Sequence, residues 1–430
     1  MRPPTPVEVE RATEIDDVFA GHPVEFALCT RGDRQFVAYY DADRQLTVAG
    51  RPLESDDWAR ARLSERVGWD SHNDLVLAVD AADHLHLSGN MHNDPLVYFR
   101  TTEPLDVTTF ERVDSLVGRD EDSVTYPRFL DVGDDLVFMY RDGSSGDGRR
   151  LLDAFDPASG EWRRLLDTPL LSGGGEMNAY PTGPIRGPDG EYHLAWVWRD
   201  TPDAATNHDP SYARSPDLVS WERADGTPLS LPITPDDDAA VDPVSAGDGL
   251  LNSNLAVGFD PGGRPVVSYH KFGSGGATQV FNARWRGGGD GETGAGWERV
   301  RASDWDYRWD FGGFGTIAFE IQVDPVQRCE AGLVQPFWHA EYGPGRWVLD
   351  PETLAPVRTE VPWHGLPESL QRVEGETGEL EVQWATDSGS PANEGSSYAL
   401  RWESLPANRD RERETAPAPS TLRVYEFSTV

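Results

Sequence analysis

The chain has 430 residues, and its 74 Asp and Glu against 38 Lys and Arg leave a formal net charge of −36. That balance excludes nucleic-acid binding driven by phosphate neutralisation. Lys271 is the only lysine, and so acidic and arginine-biased a surface suits a protein kept soluble at high salt, a halophilic character, or one coded by a GC-rich genome. With 38% hydrophobic residues, 43 glycines and 33 prolines, the chain can bury a core but is interrupted by turns, which favours many short strands over a helical bundle. Cys29 and Cys329 are the only cysteines and neither has metal-ligand spacing, so a disulfide framework and a structural zinc site are disfavoured. No run of eighteen apolar residues marks a membrane span, and no apolar segment follows Met1 to Pro6. The sequence as it stands is expected to be cytoplasmic, or secreted if a leader has been removed.

In chain order, a unit of strand, Asp/Gly turn and further strands recurs seven times, opening near Glu25, Asp74, Tyr126, Tyr180, Asn254, Thr316 and Glu379. A unit of roughly fifty residues that cannot cover both its faces alone is the mark of a propeller blade. The expected fold is therefore all-β, a seven-bladed β-propeller of mostly four-stranded antiparallel blades, in one domain over residues 1–430. Residues Glu54 to Glu65 read as a helix or, through Ala59 to Leu63, as a fourth strand. His84, His86 and Ser88 alternate with Leu85, Leu87 and Gly89 as a strand requires. Trp162, Trp221, Trp297, Trp347 and Trp402 are expected on outer strands as packing between blades, and Ser215 to Trp221 resembles a degenerate Asp-box hairpin. Residues 407–420 are charged and proline-rich and read as an exposed excursion before a closing strand, Thr421 to Phe427.

Polar residues cluster where the inner strands of blades two and three should begin: Asp70-Ser71-His72-Asn73, Asn90-Met91-His92-Asn93, Thr125-Tyr126-Pro127-Arg128 and Tyr140-Arg141. His72 and His92 are 20 residues apart, which places both at one end of a blade; Tyr126 and Arg141, 15 apart, repeat that placement in the next. Imidazoles, a phenol and guanidinium groups suit β-elimination beside a uronic acid. That reaction requires a neutralised carboxylate, removal of the C5 proton and protonation of the O4 leaving group. Arginine fits the first task through its planar, permanently charged fork, and a nearby arginine is expected to lower the pKa of the phenol. Strand-end histidines are more simply satisfied by neighbours, which fits His84, His339 and His364 best, while His86, His193, His208 and His270 fit either reading. The turn Asp142 to Gly148 reads as a hairpin, since no lysine and helix follow as in a phosphate loop. The acidic stretches at Asp131 and Thr234 make structural calcium the only cofactor suggested, but they lack EF-hand spacing and no metal residue is assigned.

The runs SHNDLVLAVDAADHLHLSGNMHNDPLVYFR, TYPRF, FMYRDGSSGDG, NHDPSYARSPDLVSW and VVSYHKF resemble the BNR-repeat family that includes the seven-bladed ulvan lyases, polysaccharide lyase families twenty-four and twenty-five. The likeness covers about Glu25 to Trp285. It implies a lyase acting on a poly- or oligosaccharide that contains rhamnose and uronic acid. It implies Arg141 as carboxylate neutraliser, His72 and Tyr126 as the base and acid pair, and His92 as substrate binder or second proton-transfer group. Substrate contacts are expected from Asn73, Asn93, Arg128, Tyr180, His208, Tyr269 and His270. Two alternatives stand beside it: a glycoside hydrolase acting on rhamnose-glucuronate ends, and a carbohydrate-binding propeller with Trp198, Trp309 and Trp338 stacking sugars. A basic canyon would favour a polyanionic substrate, and scattered arginines a neutral one.

Overall fold

The computed structural model describes residues 3–429 except 133–134, 288–295, 364, 375–378 and 392–394, so His364 and part of the acidic stretch at Asp131 lie outside the described residues. Seven small, mainly antiparallel sheets stand in a ring, a seven-bladed β-propeller. The first strands of the blades run over Ala27–Gly32, Leu75–Val79, Val124–Val132, Asn178–Arg186, Ala256–Phe259, Ile321–Val323 and Glu381–Thr386. Each begins within five residues of the expected unit start.

Packing between blades explains which positions are apolar. The second strands Arg34–Tyr40, Leu85–Gly89 and Tyr192–Arg199 are buried almost throughout, because a neighbouring blade covers each face. The alternation around His86 and Ser88 therefore separates two interior faces; it does not mark a wet one. Both side chains are fully buried. His86 is satisfied by the Tyr98 hydroxyl and by Asp80, and His193 repeats the device in blade four with Tyr212 (2.6 Å) and Asp189 (3.0 Å). Outer strands have one free face, as in Ala59–Arg66, which settles the segment from Glu54 to Glu65 as a strand against Gln45–Pro52.

Blade four has three strands, and the segment after Asn207–Ser215 forms the Asp-box turn. Asp217 accepts the backbone N–H groups of Val219 and Ser220 at 2.9 and 2.7 Å, and Trp221 folds in to donate its indole N–H to the Leu218 carbonyl. Trp347 and Trp402 pack the core as expected but from the strands Gly343–Leu349 and Ser397–Ser404, inside the outermost position. The Thr234 stretch forms a capped turn in which Asp237 accepts both the N–H and the hydroxyl of Thr234.

The ring closes without a covalent link. Ser420–Thr429 inserts between Ser397–Ser404 and the N-terminal strand Val7–Val18, so the last blade takes its outermost strand from the start of the chain. Residues 407–420 turn back over the ring: Arg409 donates to the carbonyls of Gly312 and Phe314, and Asp410 accepts from Thr316 and Ser71.

Candidate active site

First strands begin, and second strands end, at the same end of the ring, so these positions of neighbouring blades meet. In the loop leading into Leu75–Val79, the Asp70 carboxylate accepts the His72 backbone N–H at 2.9 Å, an Asx turn that sets the loop. The strand Leu85–Gly89 ends where Gly89 has φ +155°, and a Cβ there would sit 2.4 Å from the Asp74 carbonyl oxygen. Asn90 and Asn93 follow in left-handed conformations that asparagine tolerates. This leads the short strand His92–Asp94 out of blade two to pair with the start of blade three, His92 opposite Thr125. A bulge between Thr125 and Arg128 leaves Tyr126 at φ +55°, a conformation that costs about 1–3 kcal/mol and re-aims the side chain from the regular pleat.

The result is a compact cluster. The rings of His72 and His92 stack with centroids 4.0 Å apart. Each donates its Nδ1 hydrogen to a different oxygen of Asp70, at 2.7 and 2.6 Å, so Nε2 of each ring is left to act on a ligand. Tyr126 lies edge-on to His72 at 5.9 Å and to Tyr180 at 6.0 Å. Arg141 and Arg150 stand 5.0 and 5.3 Å from the Tyr126 ring, and Arg199 is 5.3 Å from the Tyr180 ring. Arg141 donates to Asn93 Oδ1 at 2.8 Å and to Thr125 Oγ1 at 3.0 Å. With its oxygen so engaged, the exposed Asn93 has its NH2 group as the remaining donor.

The electrostatics are unusual for so acidic a protein. The hairpin register sets Arg141 directly opposite Arg150, both buried, and like charges in such a pair oppose folding. Yet the ion pairs formed within 4.0 Å among the described residues include none of Arg128, Arg141, Arg150 or Arg199. Burial, with Arg141 beside it, lowers the Arg150 pKa to about 9. Burial also raises the Tyr126 pKa, aided by Tyr180, and outweighs the pull of Arg141, Arg150 and Arg199. The lowered phenol pKa expected from a nearby arginine is thus reversed, because partial burial disfavours the phenolate more than the cations favour it. Burial pulls the His72 pKa down, but the hydrogen bond and charge of Asp70 and the charge of Asp410 outweigh it and leave it raised. Burial pushes Asp70 up, but the two histidines overcome it and hold the carboxyl far below the usual range.

Asp70, His72 and His92 also bring ligand-type atoms within 4.8 Å of one another. Their contacts of 2.6–2.7 Å are hydrogen-bond lengths, shorter than the roughly 3.3 Å between two ligands of a tetrahedral zinc. As placed, the group fits shared protons better than a cation.

Of the residues expected at the site, His72, His92, Tyr126, Arg141, Asn93 and Tyr180 come together. Asn73 adjoins them but is buried, and its carbonyl accepts the Tyr40 hydroxyl. Arg128 is exposed and donates to the Gly183 carbonyl, while His208 is held between Asp200 and Asp209. Tyr269 and His270 are fully buried in a second strand, Tyr269 on Asp242 and His270 beside Trp309, so the substrate contact expected of them has no surface to act through. Trp198 and Trp309 are likewise buried, and of the three tryptophans expected to stack sugars only Trp338 is partly exposed.

Sequence reasoning missed Asp70 as the shared acceptor, and also Arg150, Arg199 and Asp410. Arg150 was legible in principle, because the glycine hairpin that pairs Gly143 with Gly148 forces Arg141 against Arg150. Asp410 carries no such signal. It reaches within 3.6 Å of His72 from the far end of the chain.

The model of the BNR repeat-containing family matches residues 34–305. No curated protein matches the sequence. Among solved structures, the polysaccharide lyase Uly1 superposes with a TM-score of 0.65 at 13% identity, covering 98% of this chain and 99% of that one. An ulvan lyase of the PL25 family, bound to -[GlcA(1-4)Rha3S]-, gives a TM-score of 0.59 at 12% identity over 96% and 95% of the two chains. At such identities the likeness is one of fold. The family match spans more than half of the sequence, including His72, His92, Tyr126 and Arg141, and on that ground the chain belongs to the BNR repeat-containing family.

Proposed function

We propose that the protein is a polysaccharide lyase that cleaves a glycan at a uronic acid by β-elimination. The observation that carries this reading is the group of buried arginines around Tyr126 and Tyr180 with no carboxylate within 4.0 Å among the described residues, in a chain with 74 acidic residues. Buried positive charge without a partner is costly, and an incoming carboxylate relieves the cost. Asn93 offers its NH2 group to that carboxylate, while Arg141 behind it polarises the amide. In the reaction, His72 Nε2 takes the C5 proton. The electron pair moves into the C4–C5 bond through an enolate held by Asn93 and the arginine field, and the C4–O4 bond breaks. The neutral Tyr126 hydroxyl gives its proton to O4, the role its raised pKa suits. Asp70 holds both histidines with Nδ1 protonated, which keeps Nε2 basic. That two of the similar folds belong to polysaccharide lyases, one with a glucuronate-rhamnose sulfate glycan bound, supports the reading.

One observation favours a hydrolase. Glu25 and Asp74 lie together beside the site, and burial with mutual repulsion raises Asp74 to about 7, as in a carboxylic acid that donates a proton. Incubation with ulvan and with unsulfated rhamnose-glucuronate oligosaccharides separates the two. The lyase forms a product whose C4=C5 double bond absorbs in the ultraviolet; chain cleavage with saturated products only would overturn it.

A further inference from the structure

A cavity of about 860 Å³ opens next to the cluster, bounded by Ser71 and Asp74 on the blade-two side and extending over blades six, seven and one. Its volume is that of a small-molecule site. Four tryptophans line it, and three of them, Trp338, Trp363 and Trp384, are partly exposed, while Trp402 is buried. Three carboxylates, Glu25, Asp74 and Glu381, line it too, while its described lining contains no lysine or arginine. Thr316, whose N–H and hydroxyl both donate to Asp410, also lines it, so the same contact fixes the cavity wall and the His72 loop.

The two halves of this face therefore differ in charge. Among the described residues, the guanidinium groups around Tyr126 have no carboxylate within 4.0 Å and the cavity carboxylates across His72 have no basic group that close, although Arg128, across the boundary, offsets part of the rise that burial gives the Glu25 pKa. Aromatic rings bind the apolar C–H face of a pyranose, and carboxylates accept its hydroxyl hydrogens in short, strong bonds. Where ionised, the same carboxylates repel a sulfate or a second uronate.

We infer that this cavity binds the sugars flanking the uronate, and that it selects uncharged, unsulfated pyranoses, including deoxy sugars. The inference rests on the proposed uronate site for what lies next to the cavity, but not for the chemistry of the cavity itself. It makes the substrate a glycan with isolated carboxylates between neutral sugars and not a continuous polyanion.

The test compares ulvan oligosaccharides with their chemically desulfated counterparts of equal length, by tryptophan fluorescence for binding and ultraviolet absorbance for cleavage. It uses the lowest salt at which circular dichroism shows the protein folded. Desulfated oligosaccharides should bind at least tenfold more tightly. Trp338→Ala should weaken that binding tenfold or more, and Glu381→Gln, which keeps shape and removes charge, should narrow the gap between the two ligands several-fold. Equal or tighter binding of the sulfated form, or no change in either folded variant, overturns the inference. Tryptophan-dependent binding without unsaturated product would sink the lyase reading and leave the cavity assignment standing. Efficient cleavage of both forms with unchanged variants would do the reverse.

Discussion

His72 and His92 share one carboxylate, so Asp70 orients both rings and helps, against burial, to raise the pKa of His72. His72 acts as base in its neutral form and its pKa lies above the ordinary 6.5. The rate kcat/KM should therefore rise with pH through an ionisation above 6.5, and should not fall again below about pH 10, because Tyr126 retains its proton. In Asp70→Asn the histidines lose their charged acceptor; activity should drop roughly 10–100-fold and the ionisation should move to lower pH. A profile that stays in place in a folded Asp70→Asn protein would show that Asp70 does not act through His72. Tyr126→Phe and Arg141→Ala should each lower turnover by about a hundredfold or more, the scale of losing one preorganised donor to developing charge. Arg141→Ala also removes a like-charge contact with Arg150, so its thermal midpoint should fall less than for an ordinary buried arginine. Near-normal turnover in both variants would sink the assignment.

At the scale of elements, the excursion over residues 407–420 matters more than its composition suggests. Asp410 ties three segments together, the His72 loop through Ser71, the Thr316 segment, and its own. It also stands 3.6 Å from His72 Nδ1 and adds to the upward shift of that histidine. As a positioning residue, it should show its effect in the pH profile: Asp410→Ala should move the His72 ionisation down, with a stability loss of about 1–3 kcal/mol for the unsatisfied donors. A loss of stability with an unmoved profile would make Asp410 a staple only. The histidines of the second strands contrast with this. His86 and His193 each have a tyrosine and an aspartate, in blades two and four, and that recurrence away from the cluster marks them as structural.

For the whole molecule, closure by Val7–Val18 against Ser420–Thr429 is the contact on which the ring depends. Deleting residues 3–18 should expose an unpaired edge strand and lower the thermal midpoint by on the order of 10 °C or broaden the transition. A truncated protein that melts like the parent would show the ring holds without it. Acid should also weaken the fold. Burial lowers the pKa of His22 and His270 to about 4 each, so below 6.5 the unfolded chain takes up protons that the folded chain refuses. Their contribution is lost as pH falls from about 6.5 to about 4, and denaturant midpoints at pH 7 and pH 5 should differ accordingly. High salt in both samples screens the concurrent change in a net charge of −36.

Blade number and rhythm were legible in the residues because each blade repeats the same local problem: a two-residue period, an Asp/Gly turn and one more strand to cover. Local physics also placed His72, His92, Tyr126 and Arg141 at one end, since it needs only the direction of consecutive strands. Tertiary structure decided what the sequence could not order. Strand alternation at His86, Tyr269 and His270 does not say whether a face meets solvent or the next blade, and the ring covers both. The pKa of Tyr126 depends on burial competing with three arginines, a balance no spacing expresses. Asp410 reaches His72 across 338 positions of sequence, and the cavity joins tryptophans and carboxylates from non-adjacent segments. Such contacts arise from closing the ring, an event that brings distant segments together irrespective of local preference.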